Sequence, residues 1–555
     1  MKSKQLVNFD TDPKSYKHWE LEFDNSVATL KMKVNPIAGL RDDYELKLNS
    51  YDLGVDIELY DVVQRMRFEH PEVKAVIVTS ADDKVFCAGA NIQMLAGSTH
   101  HHKVNFCKFT NETRNSIEDS TEFTGTTWLA AVNGTAAGGG YELALACDEI
   151  ILVDDKSSTV SFPEVPLLAV LPGTGGLTRV VDKRHVRRDL ADVFAVKAEG
   201  IKGSQAVKWG LVDEVVPKSR FEEHVRERAL QRAEGSSRPS NESGIALVPL
   251  ERLETEGGLS YPHLEVRYDR ELSSAFFTIK VPTSITVADV AQVKALGSSF
   301  WLLALCRELD DAALRLRFNE PEICSWVFES TGDPDVVLAA DDLLRSNSDD
   351  WLVKEIRHYL KRTFNRLELS SHTLVTLIKP GSCFVGTLAE LVLVADRSFM
   401  LDGTFSDEDG TSAPLVGLTD ANDGWYPMVN RISRLESRFF GRPEELRDVR
   451  TTLGKQLSSE DCEELGVVTF IFDEIDWDDE VRILLEEQAS FSPDALTGLE
   501  ANCRYVGPET MESKIFARLS AWQNWIFQRP NAVGPEGALQ SYGTGSRPIY
   551  NRERI

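Results

Sequence analysis

"AVNGTAAGGGYELALACDEI", Ala131 to Ile150, sets three consecutive glycines directly before a carboxylate and an apolar, alanine-rich run. The residues before it, Thr126 to Val132, read as a short buried strand, and Leu143 to Cys147 continue at helical density. A strand, turn and helix place Gly138, Gly139 and Gly140 at a helix N-terminus, where the first N–H groups lack intrahelical acceptors and the dipole is positive. Such an end attracts negative charge, and without β-carbons the backbone can come close to a ligand. Glu142 then projects from the first helical turn. Tight helix packing is the competing use of a bare glycine run.

A second turn, "FCAGANIQML" from Phe86 to Leu95, follows the strand Ala75 to Val78 and precedes another helix-like run. Two sets of exposed N–H groups at separate strand ends can converge on one carbonyl oxygen, the geometry of an oxyanion hole. A thioester carbonyl is a natural guest.

The 555 residues exceed a usual single core and predict two or three domains. A formal charge of −27 argues against nucleic acid and anionic membrane as partners. No apolar run approaches the roughly 20 residues of a membrane span, and the N-terminus has no apolar leader core, so a cytoplasmic location is expected. Eight cysteines without CxxC pairs fit reduced thiols and no zinc site. The imidazoles of His100, His101 and His102 cannot share one face of a helix or strand, and the sequence reads there as a solvated loop with no metal.

From Trp19 two alternating segments read as paired strands, followed by a helix with Leu59, Val62, Val63 and Met66 on one face and then the strand at Ala75: a β-α-β order. The polar stretch Arg232 to Gly244 reads as a linker. Beyond it the first half repeats in outline. "HLEVRYDRELSSAFFTIKV" from His263 echoes "WELEFDNSVATLKMKV", and "LVTLIKPGSCFVGTLAELVLVADRSF" from Leu374 echoes "WLAAVNGTAAGGGYELALACDEII". In the second copy Glu390 matches Glu142 only with one inserted residue, and Ala339, Ala340 and Asp341 stand where Ala88, Gly89 and Ala90 stand in the first. The second copy therefore reads as structural. The expected division is 1–231, a linker 232–257, a degenerate domain 258–505 and a C-terminal segment 506–555. In that segment Ile515, Leu519, Trp522 and Ile526 share a helical face that should pack against something, before an extended tail from Pro530.

Taken together, "FCAGAN", "AAVNGTAAGGGYELALACD", "SFPEV", "LPGTGGLTRV" and "GLVDEVVP" resemble the crotonase (enoyl-CoA hydratase/isomerase) superfamily, densely from about residue 20 to 217. The resemblance implies an α/β fold of tandem ββα-superhelix domains that bind coenzyme A thioesters, with the oxyanion hole formed by the N–H groups of Ala90 and Gly139. It also implies that Glu142 and Glu164 handle water. Two carboxylates facing one water can divide acid and base roles, because mutual repulsion raises one pKa. Asn91 replaces the usual acid of the first turn, Tyr141 precedes Glu142, and residues 37 to 50 look inserted. Length, the degenerate copy and the segment from Asn91 to Ser120 resemble the branch that opens the ring of an oxygenated, dearomatised aromatic thioester with water, releasing formate, with no metal or redox cofactor. Carbon–carbon cleavage needs a further group, for which Cys107 is the candidate. Arg41 and Lys47 are candidates for the coenzyme A phosphates, with surface salt pairing as the alternative. A homo-oligomer, a dimer in the first place, is expected. A hydratase acting on another acyl-CoA and an idle acyl-CoA-binding scaffold remain the alternatives.

Overall fold

The alternating segments from Trp19 fold as β1 (Trp19–Asp24) and β2 (Val27–Met32), an antiparallel pair that turns through Asn25 at positive φ. This computed structural model describes residues 6–284, 287–406 and 412–555. The chain forms two compact units, Phe9–Leu247 and Val248–Ile555, the second joined by residues 6–8.

In the N-terminal unit β2 continues in parallel to β3 (Ala75–Ser80), β5 (Thr127–Val132), β7 (Glu149–Asp154) and β9 (Glu214–Pro217). A second, three-stranded parallel sheet is built from β4 (Val85–Cys87), β6 (Thr135–Ala137) and β8 (Val160–Ser161). Three of the large-sheet strands, β3, β5 and β7, are each followed by a small-sheet strand and then by helix, the ββα repeat. The helix Phe221–Glu234 covers one face of the large sheet, setting Phe221, Val225, Ala229 and Ala233 on Ile77, Leu129, Ala131 and Ile151. Helices α1 (Leu53–Phe68) and α3 (His100–Asp119) pack against each other, tied by a buried Arg114–Asp56 pair at 2.5 Å. Asp52 caps α1 by accepting from the N–H groups of Gly54 and Val55.

The C-terminal unit repeats this order. Its eight-stranded sheet runs β10 (Leu253–Thr255), β11 (Gly258–Ser260), β12 (Leu264–Asp269), β13 (Ser274–Lys280), β14 (Ser325–Thr331), β15 (Thr373–Ile378), β16 (Arg397–Leu401) and β19 (Phe470–Phe472). The β12–β13 pair is antiparallel and every later pair parallel, as in β1–β2 and onward. In place of the three-stranded sheet the described residues hold only β17 (Val416–Gly417) with β18 (Gln456–Leu457).

The boundary between the two units falls within residues 232–257, of which 232–234 finish a helix and 253–255 form β10, while the Ile245 and Leu247 amides donate to Phe68 O and Glu69 Oε1. Two expectations change. The tail from Pro530 is not extended. It makes helical turns at Pro530–Val533 and Ala538–Ser541, and its buried Arg554 pairs with Glu500 at 2.5 Å and donates to Ser371 O. The 508–529 segment is helical, but only Trp522 and Ile526 reach cover, against Gly498, while Ile515 and Leu519 stay exposed.

Candidate active site

Parallel pairing of β4, β6 and β8 sets three chain segments side by side as they leave the small sheet. After β4 comes Ala90, after β6 come Gly138 to Gly140, and after β8 comes Glu164. The register of this one short sheet therefore assembles residues more than seventy positions apart.

The two turns touch. A β-carbon on Gly89 would lie 2.8 Å from Ala137 O and 2.9 Å from the Gly139 nitrogen. Neither the Ala90 N–H nor the Gly139 N–H meets a protein acceptor among the described residues. Gly139 opens helix α4 (Gly139–Ala146), so its amide is one of the unpaired donors of a helix start. Gly138 sits at φ +53°, where a side chain is strained, and a β-carbon there would overlap the Glu164 carboxyl oxygen. A side chain at Gly139 would strike Tyr51, coming within 2.7 Å of its Cζ.

The two glutamates are held differently. Glu142 is 2% exposed and accepts hydrogen bonds from Thr174 N at 3.0 Å, Gly176 N at 2.8 Å and the Thr174 hydroxyl. Glu164 begins a short helical turn, Glu164–Leu168, and its Oε2 is buried without a hydrogen-bond partner among the described residues. Burial, with the Glu142 charge adding, pushes its carboxyl up to about 7. Cys107 on α3 is half-buried, with Sγ 3.6 Å from where a Gly173 β-carbon would stand. Burial first, then Glu142 and Asp56, push its thiol up to about 11, so it is protonated at neutral pH.

The structure puts the other candidates to local use. Arg41 pairs with Asp43 at 3.0 Å and reaches Ser98 Oγ, tying the 37–50 segment to α2 (Ile92–Gly97). Lys47 is exposed beside Glu45 at 2.9 Å. Asn91 caps α2, accepting from Met94 N and donating to Glu45 O. Tyr141 donates to Leu211 O and packs between Phe162 and Phe194. The three histidines are not a loop. They form the first turn of α3, behind the Thr99 cap, with His101 buried. Among the described residues no cluster of His, Cys, Asp or Glu could hold a metal ion. The residues that hold Glu142, Thr174 and Gly176, were visible only as part of "LPGTGGLTRV", where nothing local marks them as its donors.

The C-terminal copy treats the same turn otherwise. Thr387 precedes Glu390 by the spacing that separates Gly139 from Glu142. Its amide donates to Asp341 Oδ2 at 2.7 Å and its hydroxyl to Oδ1 at 2.5 Å. Asp341 lies on a helix, Pro334–Ser346, not in a turn like that of Ala90, and burial pushes its carboxyl up to about 7. Glu390 is tied to Asn422 at 2.8 Å and Arg434 at 2.9 Å. Arg434 also meets Glu368 and Asn365, as Arg179 in the first copy meets Glu118 and Asn115. In the first copy Arg179 instead reaches Thr174 O, behind Glu142.

Paired turns with unpaired amides beside two carboxylates, on ββα repeats, define an enoyl-CoA hydratase/isomerase site, and the chain belongs to that family. The family model for enoyl-CoA hydratase/isomerase matches residues 40–242. The chain is 51% identical over 551 residues to the benzoyl-CoA-dihydrodiol lyase of Aromatoleum evansii, covering 99% of this chain and 98% of that one. Among solved structures, an enoyl-CoA hydratase from Geobacillus kaustophilus HTA426 is 32% identical with a TM-score of 0.35, covering 40% of this chain and 75% of that one. An enoyl-CoA hydratase from Bacillus anthracis is 29% identical with a TM-score of 0.33, covering 39% and 76%.

Proposed function

We propose that the protein is a lyase that opens the ring of 2,3-epoxybenzoyl-CoA, or of its dihydrodiol, with water, giving a semialdehyde acyl-CoA and formate in aerobic benzoate degradation. What carries the reading is identity that runs through the C-terminal copy as well, well beyond the residues matched by the family model.

In this reading the Ala90 and Gly139 amides draw electron density onto the thioester oxygen and make the conjugated ring electrophilic. Glu142, fixed by Thr174 and Gly176, orients the attacking water. Glu164, with its pKa near neutrality, gives and takes the proton. A second water then adds to the aldehyde carbon that leaves as formate; as that carbon–carbon bond breaks, the protonated thiol of Cys107 gives its proton to the ring-derived carbon and takes back the one this water releases. Coenzyme A enters as part of the substrate, and every step runs through protein groups.

The reading also places the protein in the cytoplasm, in keeping with eight free thiols, and as a homo-oligomer, with a dimer favoured. Met511, Phe516 and Phe527 leave apolar surface on the C-terminal helix, which favours self-association; sedimentation tests it. No helix among the described residues is long and apolar enough to cross a membrane.

The decisive experiment incubates the protein with 2,3-epoxybenzoyl-CoA and crotonyl-CoA in parallel and assays formate. Formate from the first substrate supports the reading. Hydration of crotonyl-CoA alone overturns it, and inactivity on both points to a scaffold.

A further inference from the structure

Tyr51 is a buried polar group that the mechanism above leaves unused. Its backbone is bridged in parallel to Ala90. Tyr51 N donates to Gly89 O at 3.0 Å and Tyr51 O accepts from Asn91 N at 2.8 Å, which turns the N–H of Ala90 the other way. The side chain is 1% exposed, and its hydroxyl has no hydrogen-bond partner among the described residues. That hydroxyl lies so close to Gly139 that a β-carbon there would overlap it. One residue thus lines both turns, Ala90 through its backbone and Gly139 through its side chain.

The aim of the phenol is fixed. Its ring lies 5.9 Å from that of Phe106 and 5.4 Å from the Arg114 guanidinium, which the buried Asp56 holds in turn. Burial above all, with Asp56, Glu142 and Cys87 adding and Arg114 opposing, holds the phenol well above its ordinary range. At neutral pH it is a neutral O–H. A buried hydroxyl is normally matched, and a matched donor beside an oxyanion hole would be of no use to a substrate. Here the donor is unmatched, and the chemistry that completes it is an oxygen gaining negative charge.

We propose that Tyr51 is a third donor of the oxyanion hole, its hydroxyl hydrogen-bonding the acyl oxygen of the bound thioester alongside the Ala90 and Gly139 amides. The inference rests on the reading of those amides as the hole. It also gives glycine at 139 a second purpose, since any side chain there would displace the phenol.

Tyr51→Phe removes one oxygen and keeps the ring contacts. The probe is benzoyl-CoA labelled with carbon-13 at the thioester carbonyl, followed by difference infrared spectroscopy. In the wild type the bound carbonyl stretch falls below that of the free thioester, and Tyr51→Phe recovers part of the fall. With 2,3-epoxybenzoyl-CoA, kcat drops about 100-fold and KM stays within about twofold. A full carbonyl shift retained in Tyr51→Phe overturns the inference, whatever happens to kcat, and leaves the two amides standing. Absence of a shift in the wild type overturns the hole itself, and this inference with it.

Discussion

Replacing Glu164 by Gln should raise stability and abolish turnover, and the stability gain should appear only above mildly acid pH. Burial raises the folded carboxyl from its ordinary 4.5 to about 7. Below pH 4.5 the folded and unfolded chains both carry the proton, so Glu and Gln are equivalent there. Between 4.5 and 7 the unfolded chain releases its proton while the folded site keeps it, and stability falls as pH rises. Above 7 the loss is complete. A shift of this size corresponds to about 3 kcal/mol, discounted to about 2 for the part of the side chain that water reaches. Glu164→Gln escapes that loss, which amounts to a melting temperature higher by about 4 to 8 °C for a domain of this size. Thermal melts of both proteins at pH 4.5 and pH 8 test it. An equal difference at the two pH values, or a less stable variant at pH 8, refutes the assignment of a raised pKa to this carboxyl. Over the same range kcat/KM of the wild type should fall above about pH 7, as the acid form is lost.

Gly139→Ala should cost about 1 to 3 kcal/mol, since its β-carbon overlaps the Tyr51 hydroxyl in a packed site, and should reduce kcat at least 100-fold; melts and single-turnover assays measure the two. At pH 7.5 iodoacetamide should label the exposed Cys503 and spare Cys107, whose thiol titrates at about 11; peptide mass spectrometry reads the order, and early labelling of Cys107 would contradict its neutral state. Asp341→Asn keeps an acceptor for the Thr387 amide and removes a carboxyl raised from 3.8 to about 7. The variant should melt higher than the wild type at pH 8, alike at pH 4, and retain full activity.

The turn chemistry was legible because glycine and small residues mark backbone that must stay bare, and because strand and helix periods flank them. The repeat was legible for a similar reason: the apolar pattern of β12 and β13 preserves that of β1 and β2. Contacts made across the fold were not. Nothing near Tyr51 in the chain announces Gly139, and Thr174 binds Glu142 across 32 positions. The histidines misled because the side-chain pattern carries no helical period, while the start of α3 is fixed by the Thr99 cap. The tail misled because its Gly, Pro and Ser content suggests extension, whereas Arg554 and Asn531 dock it through Glu500 and Asp494.

The carboxylate of Asp341 gives the duplicated bend a permanent tenant. An amide kept bare for a visitor is a liability whenever the visitor is away, and the second half converts that liability into a rivet. The Thr387 amide is thereby satisfied without a ligand. A tight-binding transition-state mimic should therefore titrate to one equivalent per 62.0 kDa polypeptide, not two.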